Sequence, residues 1–174
     1  ADKRPNGCFF GLDFSESLIE AAKTITRKKV TGNIEFHVFD VNKDQIPEYL
    51  AGFCDVVISK RLLINLQGLA KRQAVEKVYD LLKPGGIYLM MECFLEPLRR
   101  INDMRTKIGL NEIRVRPFNE YLEEDFIENI SDLFSVEREV DYEGLYYFIS
   151  RIFNAYLSDG EPAYDAPINQ LAEK

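Results

Sequence analysis

Three carboxylates in this chain each close, or nearly close, a run of apolar, strand-like residues. Asp13 follows Cys8-Phe9-Phe10-Gly11-Leu12, Asp40 follows Ile34 to Phe39, and Glu92 stands near the end of Ile87 to Cys93. In an open α/β sheet, ligands sit outside the carboxyl ends of the strands. A carboxylate at such an end can accept hydrogen bonds from both hydroxyls of a ribose, which suits a nucleoside-containing ligand. Glu92, at the mouth end of its run, is placed to orient or deprotonate an acceptor hydroxyl. Each has a plainer competitor: a helix cap for Asp13 and a turn residue for Asp40. His37 is the only histidine, but it lies inside its run, so a structural role is favoured over a general base. Asp55 stands at the opposite end of its run from any ligand and reads as structural or solvated.

The elements that must position these groups alternate along the chain. A helix is expected from about Ser15 to Lys29, with Leu18, Ala22 and Ile25 on one face, Ser17 and Glu20 as a capping box, and Thr31-Gly32 as the stop. Ile34 to Phe39 alternates as a strand does, and Pro47 marks a connection with room for one helical turn. Phe53 to Ser59 is continuously apolar, the mark of a strand buried on both faces. A helix over 68–82 turns Val75, Val78, Tyr79 and Leu82 inward. Lys83-Pro84-Gly85-Gly86 then reverses the chain into the strand from Ile87 to Cys93. Leu95, Leu98, Ile101, Met104 and Ile108 predict an amphipathic helix, and a second helix is expected from about Glu120 to Ile130. Phe134 to Val140 and Leu145 to Ser150 read as an antiparallel pair joined by Asp141-Tyr142-Glu143-Gly144. The stretch 158–174 reads as a tail with one short helix near Ile168. Such alternation predicts an α/β domain with parallel strands and right-handed crossovers. Residues 1–174 form one domain, in which 95–130 is a helical insert at the ligand end, the usual place for a lid.

Composition narrows the function. Lys+Arg 22 against Asp+Glu 29 gives a net charge of -7, which argues against a broad nucleic-acid footprint. The one basic cluster, Arg27-Lys28-Lys29, closes a helix, where cations complement the dipole. Cys8, Cys54 and Cys93 are far apart in apolar runs and read as buried thiols in a reducing compartment, not as a disulfide framework or a metal site. No apolar stretch approaches the length of a membrane span and no signal peptide is visible, so a cytoplasmic location is expected. The sequence leaves oligomeric state open, and a homo-oligomer is compatible with it.

Four pieces in order and correct spacing carry a family resemblance: Gly11-Leu12-Asp13-Phe14-Ser15, Phe39-Asp40-Val41, Phe53-Cys54-Asp55-Val56-Val57-Ile58-Ser59 and Leu81-Leu82-Lys83-Pro84-Gly85-Gly86. Residues 8 to about 150 resemble the class I S-adenosylmethionine-dependent methyltransferases. The resemblance implies a Rossmann-like sheet of order 3-2-1-4-5-7-6 with the last strand antiparallel, and S-adenosylmethionine as cofactor. It implies that Asp13 takes the ribose hydroxyls with Phe14 on the adenine. Asp40 takes the exocyclic amine beside the Val41 backbone, and Ser59 and Lys60 border the methionine end. Arg61-Leu62-Leu63-Ile64-Asn65-Leu66 resembles a stretch of bacterial methyltransferases, which turns Arg61 toward the acceptor. Arg116, Asn119, Tyr121, Tyr147 and Arg151 complete the expected acceptor site, with Glu92 as the catalytic candidate.

The glycine-rich loop and first strand that should precede Asp13 do not occur in these residues. The expectation is therefore an incomplete domain that wants about 50 further residues upstream. Methyl transfer to a small-molecule or glycan-like acceptor is the leading function. A catalytically inert methyltransferase-like binding module or partner subunit is the alternative. A nicotinamide-dependent dehydrogenase ranks third, because Lys83-Pro84-Gly85-Gly86 fits it poorly.

Overall fold

The structure, a computed structural model, describes residues 7–27, 33–141 and 145–172. Strand β1, Phe9–Asp13, pairs in parallel with β2, Ile34–Val38, with Phe9 opposite Ile34 and Asp13 opposite Val38. Helix α1, Glu16–Arg27, joins them. Its predicted end at Lys28-Lys29 and the Thr31-Gly32 stop lie outside the described residues. The start is fixed locally: Asp13 Oδ1 accepts the Ser15 N–H at 2.8 Å, and Ser15 Oγ accepts the Leu18 N–H at 3.4 Å. The inner face of α1 is centred on Ile19, not on the expected Leu18, Ala22 and Ile25. Leu18 and Ile25 are more than half exposed. The reason is the floor: α1 rests on a sheet of two strands, too narrow to cover its flank.

A second parallel pair follows. Strand β3, Cys54–Lys60, lies beside β4, Leu82–Met91, with α2, Leu69–Leu81, as the crossover. The register runs from Val56 opposite Ile87 to Lys60 opposite Met91, with a shift below it where Cys54 faces Leu82. The predicted Lys83-Pro84-Gly85-Gly86 turn is that shift. Extra residues on one strand must bulge, and Gly85 takes φ +77° there, a conformation glycine enters without a Cβ clash. Both runs were expected to be buried on both faces. One face is: Met90 packs on the core, and Tyr88 meets Phe134 with ring centroids 5.4 Å apart. The other face, made by Val56, Ile58, Ile87, Leu89 and Met91, stays between 40% and 61% exposed.

The core sits past the carboxyl ends of β3 and β4. Leu63, Leu66, Ala74, Val75, Leu122 and Ile130 are buried together, with Val41 and Phe94 packed against them. Full burial of Leu63, at 0% exposure, stabilises by about 2 kcal/mol. Because Val41 lies shortly past the end of β2 and Leu63 shortly past the end of β3, the packing of Val41 on this cluster brings the carboxyl ends of the two sheets to one side. Lys77 on α2 tightens it by donating to the carbonyls of Val41 and Asp44 at 2.6 and 2.7 Å.

Two later expectations are corrected. Helix α3, Leu95–Lys107, forms as predicted, but no continuous helix follows over 120–130. Instead the Glu120 N–H donates to Ile64 O, and Leu122 bridges Phe94 in a strand-like contact. Those long-range bonds take the backbone groups that a helix would use, leaving only short 3-10 turns at Glu124–Phe126 and Glu128–Ile130. The antiparallel pair does not form either, so the sixth and seventh strands of the expected order are absent among the described residues. Residues 134–141 are irregular, the predicted turn at 142–144 lies outside the described residues, and the chain from Leu145 is helical. It runs as α4, Leu145–Phe148, a π-helical Ile149–Phe153 and α5, Asn154–Leu157. The tail is tied back: Asn154 Nδ2 donates to Ala163 O, and the expected short helix is α6, Pro167–Ala172.

Candidate active site

β1 and β2 deliver the first two candidates together. The Phe39 N–H donates to Asp13 O at 2.9 Å, which sets Asp40 and Val41 beside Asp13 and Phe14. Both roles weighed for Asp13 are compatible: Oδ1 caps α1, while Oδ2 has no hydrogen-bond partner among the described residues. Phe14 presents its ring to solvent at 73% exposure. Asp40 also works as a turn residue, since Oδ1 accepts the Asn42 N–H at 2.9 Å and Oδ2 pairs with Lys43. These partners hold its carboxyl below the usual range, the Lys43 hydrogen bond most of all. That ion pair is exposed on the Lys43 side, so it is easily exchanged for another donor.

β3 and β4 deliver the second group. Ser59 is buried, and its hydroxyl hydrogen-bonds Tyr88 Oη at 2.8 Å instead of facing out. Burial pushes the Tyr88 hydroxyl up to about 12, so it remains a neutral hydrogen-bonding partner. Lys60 is exposed at the strand end. Arg61 then takes φ +54°, a left-handed conformation that is strained by about 1–2 kcal/mol for a residue with a Cβ.

Glu92 explains how that strain is held. Its Oε1 accepts the N–H groups of Leu62 and Leu63 at 2.8 and 3.1 Å, and its Oε2 accepts that of Ile64 at 3.4 Å. These are the leading amides of a 3-10 turn, Leu63–Asn65, which has no side-chain cap of its own. Orphan amides at a helical start need an outside acceptor, and a carboxylate is the strongest available. Burial raises the Glu92 carboxyl above its ordinary value of 4.5, against the lowering effect of the three amides and Ser59. Both oxygens are thus engaged with the backbone, and the geometry makes Glu92 a positioning residue for the Arg61 loop.

The acceptor candidates divide. Asn119 Nδ2 donates to Asn65 Oδ1 at 2.7 Å and to Ile64 O at 3.4 Å, pinning its segment to the same loop. Tyr121 lies against the Cys93 thiol and within electrostatic reach of Tyr147 and Arg61. Arg151 stacks over the Tyr147 ring, 5.4 Å from its centroid. Arg116 is not brought in; it is exposed and stacks on Phe118 at 5.9 Å. Sequence reasoning missed Cys93, Tyr88, Tyr164 and Lys77. A thiol in an apolar strand, an aromatic strand residue and a helix lysine carry no local mark of a site. Among the described residues no group of His, Cys, Asp and Glu could hold a metal ion.

The methyltransferase domain family matches residues 1–141. The chain belongs to the methyltransferase domain family. A curated relative, the carboxy-S-adenosyl-L-methionine synthase of Nautilia profundicola, is 27% identical over 131 residues, 71% of this chain and 53% of that protein. This methyltransferase-domain chain thus spans about half the length of that relative. Among solved structures it is similar to PH0226 from Pyrococcus horikoshii, with a TM-score of 0.60, 19% identity and coverage of 80% of this chain and 69% of that one. It is similar to PKMT2 from Rickettsia typhi in complex with AdoHcy, with a TM-score of 0.50, 16% identity and coverage of 81% and 26%. YcgJ from Bacillus subtilis scores 0.51 at 17% identity, covering 71% and 50%. These likenesses show a Rossmann-like α/β fold. No helix among the described residues is long and apolar enough to cross a membrane.

Proposed function

We propose that the protein transfers a methyl group from S-adenosylmethionine to a small-molecule or glycan-like acceptor. The observation that carries this is the convergence of Asp13, Phe14, Asp40 and Val41 on one side with the Arg61 loop, through the packing of Val41 on Leu63 and its neighbours. The residues fit the cofactor: Asp13 keeps one carboxylate oxygen without a hydrogen-bond partner among the described residues, Phe14 offers an open ring, and Asp40 holds an exchangeable partner. Asp13 would hold the ribose and Phe14 with Asp40 the adenine, while the bound sulfonium supplies an electrophilic methyl group. The methionine end would meet the Lys60–Arg61 backbone, because the Ser59 hydroxyl is engaged with Tyr88.

Methyl transfer from a sulfonium is an in-line displacement, so what the chain must supply is orientation. Glu92 fixes the Arg61 loop, Asn119 locks the 95–130 segment onto it, and Tyr121 lies against the Cys93 thiol just past β4. We place 95–130 as the lid of this site. The open edges of β1 and β3 support a single sheet of order β2-β1-x-β3-β4, with x a strand outside those described. Hydrogen exchange in the full-length protein tests this: protected amides on both β1 and β3 support it, and a β3 that exchanges as an open edge overturns it. The cysteines are not the buried residues expected, since Cys8 is exposed and Cys54 and Cys93 are only partly buried; a reducing, cytoplasmic setting remains part of this reading.

Calorimetric titration of the full-length protein with S-adenosylhomocysteine tests the function. Saturable binding supports methyl transfer, whereas absence of binding favours an inert methyltransferase-like module. Preference for a nicotinamide dinucleotide would replace both.

A further inference from the structure

Among the described residues only Arg61 and Asp159 take a positive φ without being glycine, and Arg61, at φ +54°, is the one at the candidate site. A residue with a Cβ stays in that conformation only where its neighbours hold it. The Arg61 N–H donates to Met91 O at 2.9 Å, which continues the pairing of β3 with β4, and Glu92 takes the amides that follow. The carbonyl is held separately. Asn65, four residues on and at the end of the 3-10 turn, donates from Nδ2 to Arg61 O at 2.5 Å.

A carboxamide can turn over, and the second neighbour of Asn65 prevents it. Asn65 Oδ1 accepts from Asn119 Nδ2 at 2.7 Å, and the same Nδ2 reaches Ile64 O at 3.4 Å. Turned over, Asn65 would set its oxygen against the Arg61 carbonyl and its NH2 group against that of Asn119, so one orientation alone satisfies both. Asn119 is anchored in turn. The N–H of Glu120 donates to Ile64 O at 2.8 Å, and its carboxylate pairs with Lys71, a buried residue in the first turn of α2. We infer that Asn65 is a positioning residue: it passes the placement of Asn119 to the Arg61 backbone, and so sets the peptide that the methionine end of the cofactor would meet. The inference rests on the methyl-transfer reading only in naming that end as what meets Arg61. It is separable from the Glu92 clamp, which acts on the amides of residues 62–64 and leaves the Arg61 carbonyl alone.

The test joins hydrogen exchange at the Arg61 amide with calorimetric titration by S-adenosylhomocysteine and by adenosine, all in the full-length protein. Asn65 is exposed, so Asn65→Ala keeps the fold, as circular dichroism should report. It should speed Arg61 exchange about fivefold, the worth of one net hydrogen bond. Asn119→Ala should speed it by a similar or smaller amount, and should add less than about twofold once Asn65 is gone, because it reaches Arg61 through Asn65. Asn65→Ala should also weaken S-adenosylhomocysteine about fivefold and leave adenosine, which lacks the methionine end, within about twofold. In an Arg61→Gly background, where positive φ carries no strain, Asn65→Ala should weaken S-adenosylhomocysteine by less than about twofold. Unchanged Arg61 exchange in Asn65→Ala overturns the inference, as do fully additive effects of the two asparagine substitutions or equal weakening of both ligands. If neither ligand binds the native protein while the exchange results hold, the relay to Arg61 stands and the methyl-transfer reading falls.

Discussion

Replacing Glu92 with Ala removes the one acceptor that serves Leu62, Leu63 and Ile64. The two shorter bonds, 2.8 and 3.1 Å, set the scale. Leaving two partly buried amide donors without an acceptor costs about 3 kcal/mol in all. Relaxation of Arg61 out of its left-handed conformation returns about 1 kcal/mol, so the expected loss is about 2 kcal/mol. For a domain of this size that lowers Tm by roughly 4–8 °C. Native-state hydrogen exchange should show the Leu62 and Leu63 amides opening about 30-fold faster. Glu92→Gln keeps an amide oxygen for the same donors and should lose about 1 kcal/mol. If the proposed methyl transfer holds, Glu92→Gln should retain kcat within about tenfold, whereas loss of a general base costs about 100-fold or more. Unchanged exchange at Leu62 and Leu63 in Glu92→Ala would refute the clamp, and a 100-fold kcat loss in Glu92→Gln would restore Glu92 as a base.

Further outcomes follow from the ionisable groups and from the cofactor side. Burial raises the folded pKa of Glu92, so its contribution to stability is full below the ordinary value of 4.5 and is lost as pH rises through the folded value. Urea denaturation should therefore show the stability of the native protein relative to Glu92→Gln falling from pH 4 toward pH 7. Lys71 is buried and pairs with Glu120, which is half exposed. Glu120→Gln should cost about 2 kcal/mol by leaving a buried ammonium without its carboxylate, less than a fully buried pair would lose, while Lys71→Met should stay within about 1 kcal/mol of the native protein. Ser15→Ala removes a long 3.4 Å bond to the Leu18 amide beside the Asp13 cap and an exposed 3.0 Å bond to the Ser17 hydroxyl, so denaturation should show a loss of about 0.5 kcal/mol.

Much of the site was legible because strand periodicity and a terminal carboxylate are local signals. Asp13 and Asp40 could be located from alternation and chain order alone, and β1 through β4 formed in the order expected. Glu92 was located but not understood. Nothing in a sequence says which backbone amides a carboxylate will meet, and here they lie some 30 residues upstream on another strand's exit loop. Tyr146-Tyr147-Phe148 has strong β propensity, yet it forms helix. The buried Arg105 guanidinium donates to the carbonyls of Arg151 and Gly160, and Ser150, Asn154 and Ala155 are buried at helical spacing beside it. Tertiary contacts of that kind overrule propensity. The expected helix over 120–130 failed for a related reason, since Leu122 bonds to Cys93 and Leu95 across the chain. Asp13 does cap α1 through Oδ1, and its Oδ2 has no hydrogen-bond partner among the described residues, so the cap role does not exclude the proposed ribose contact.

The central claim is that the carboxyl ends of β1 and β2 hold the ribose and adenine of S-adenosylmethionine. Its most direct test is the affinity of the full-length protein for S-adenosylhomocysteine, measured by calorimetry with and without Asp13→Asn. Asn keeps an oxygen for the Ser15 amide, so α1 stays capped, but it removes the charge that ribose hydroxyls require. A weakening of about tenfold or more at unchanged Tm is the expected result. Equal affinity in the two proteins would contradict the claim.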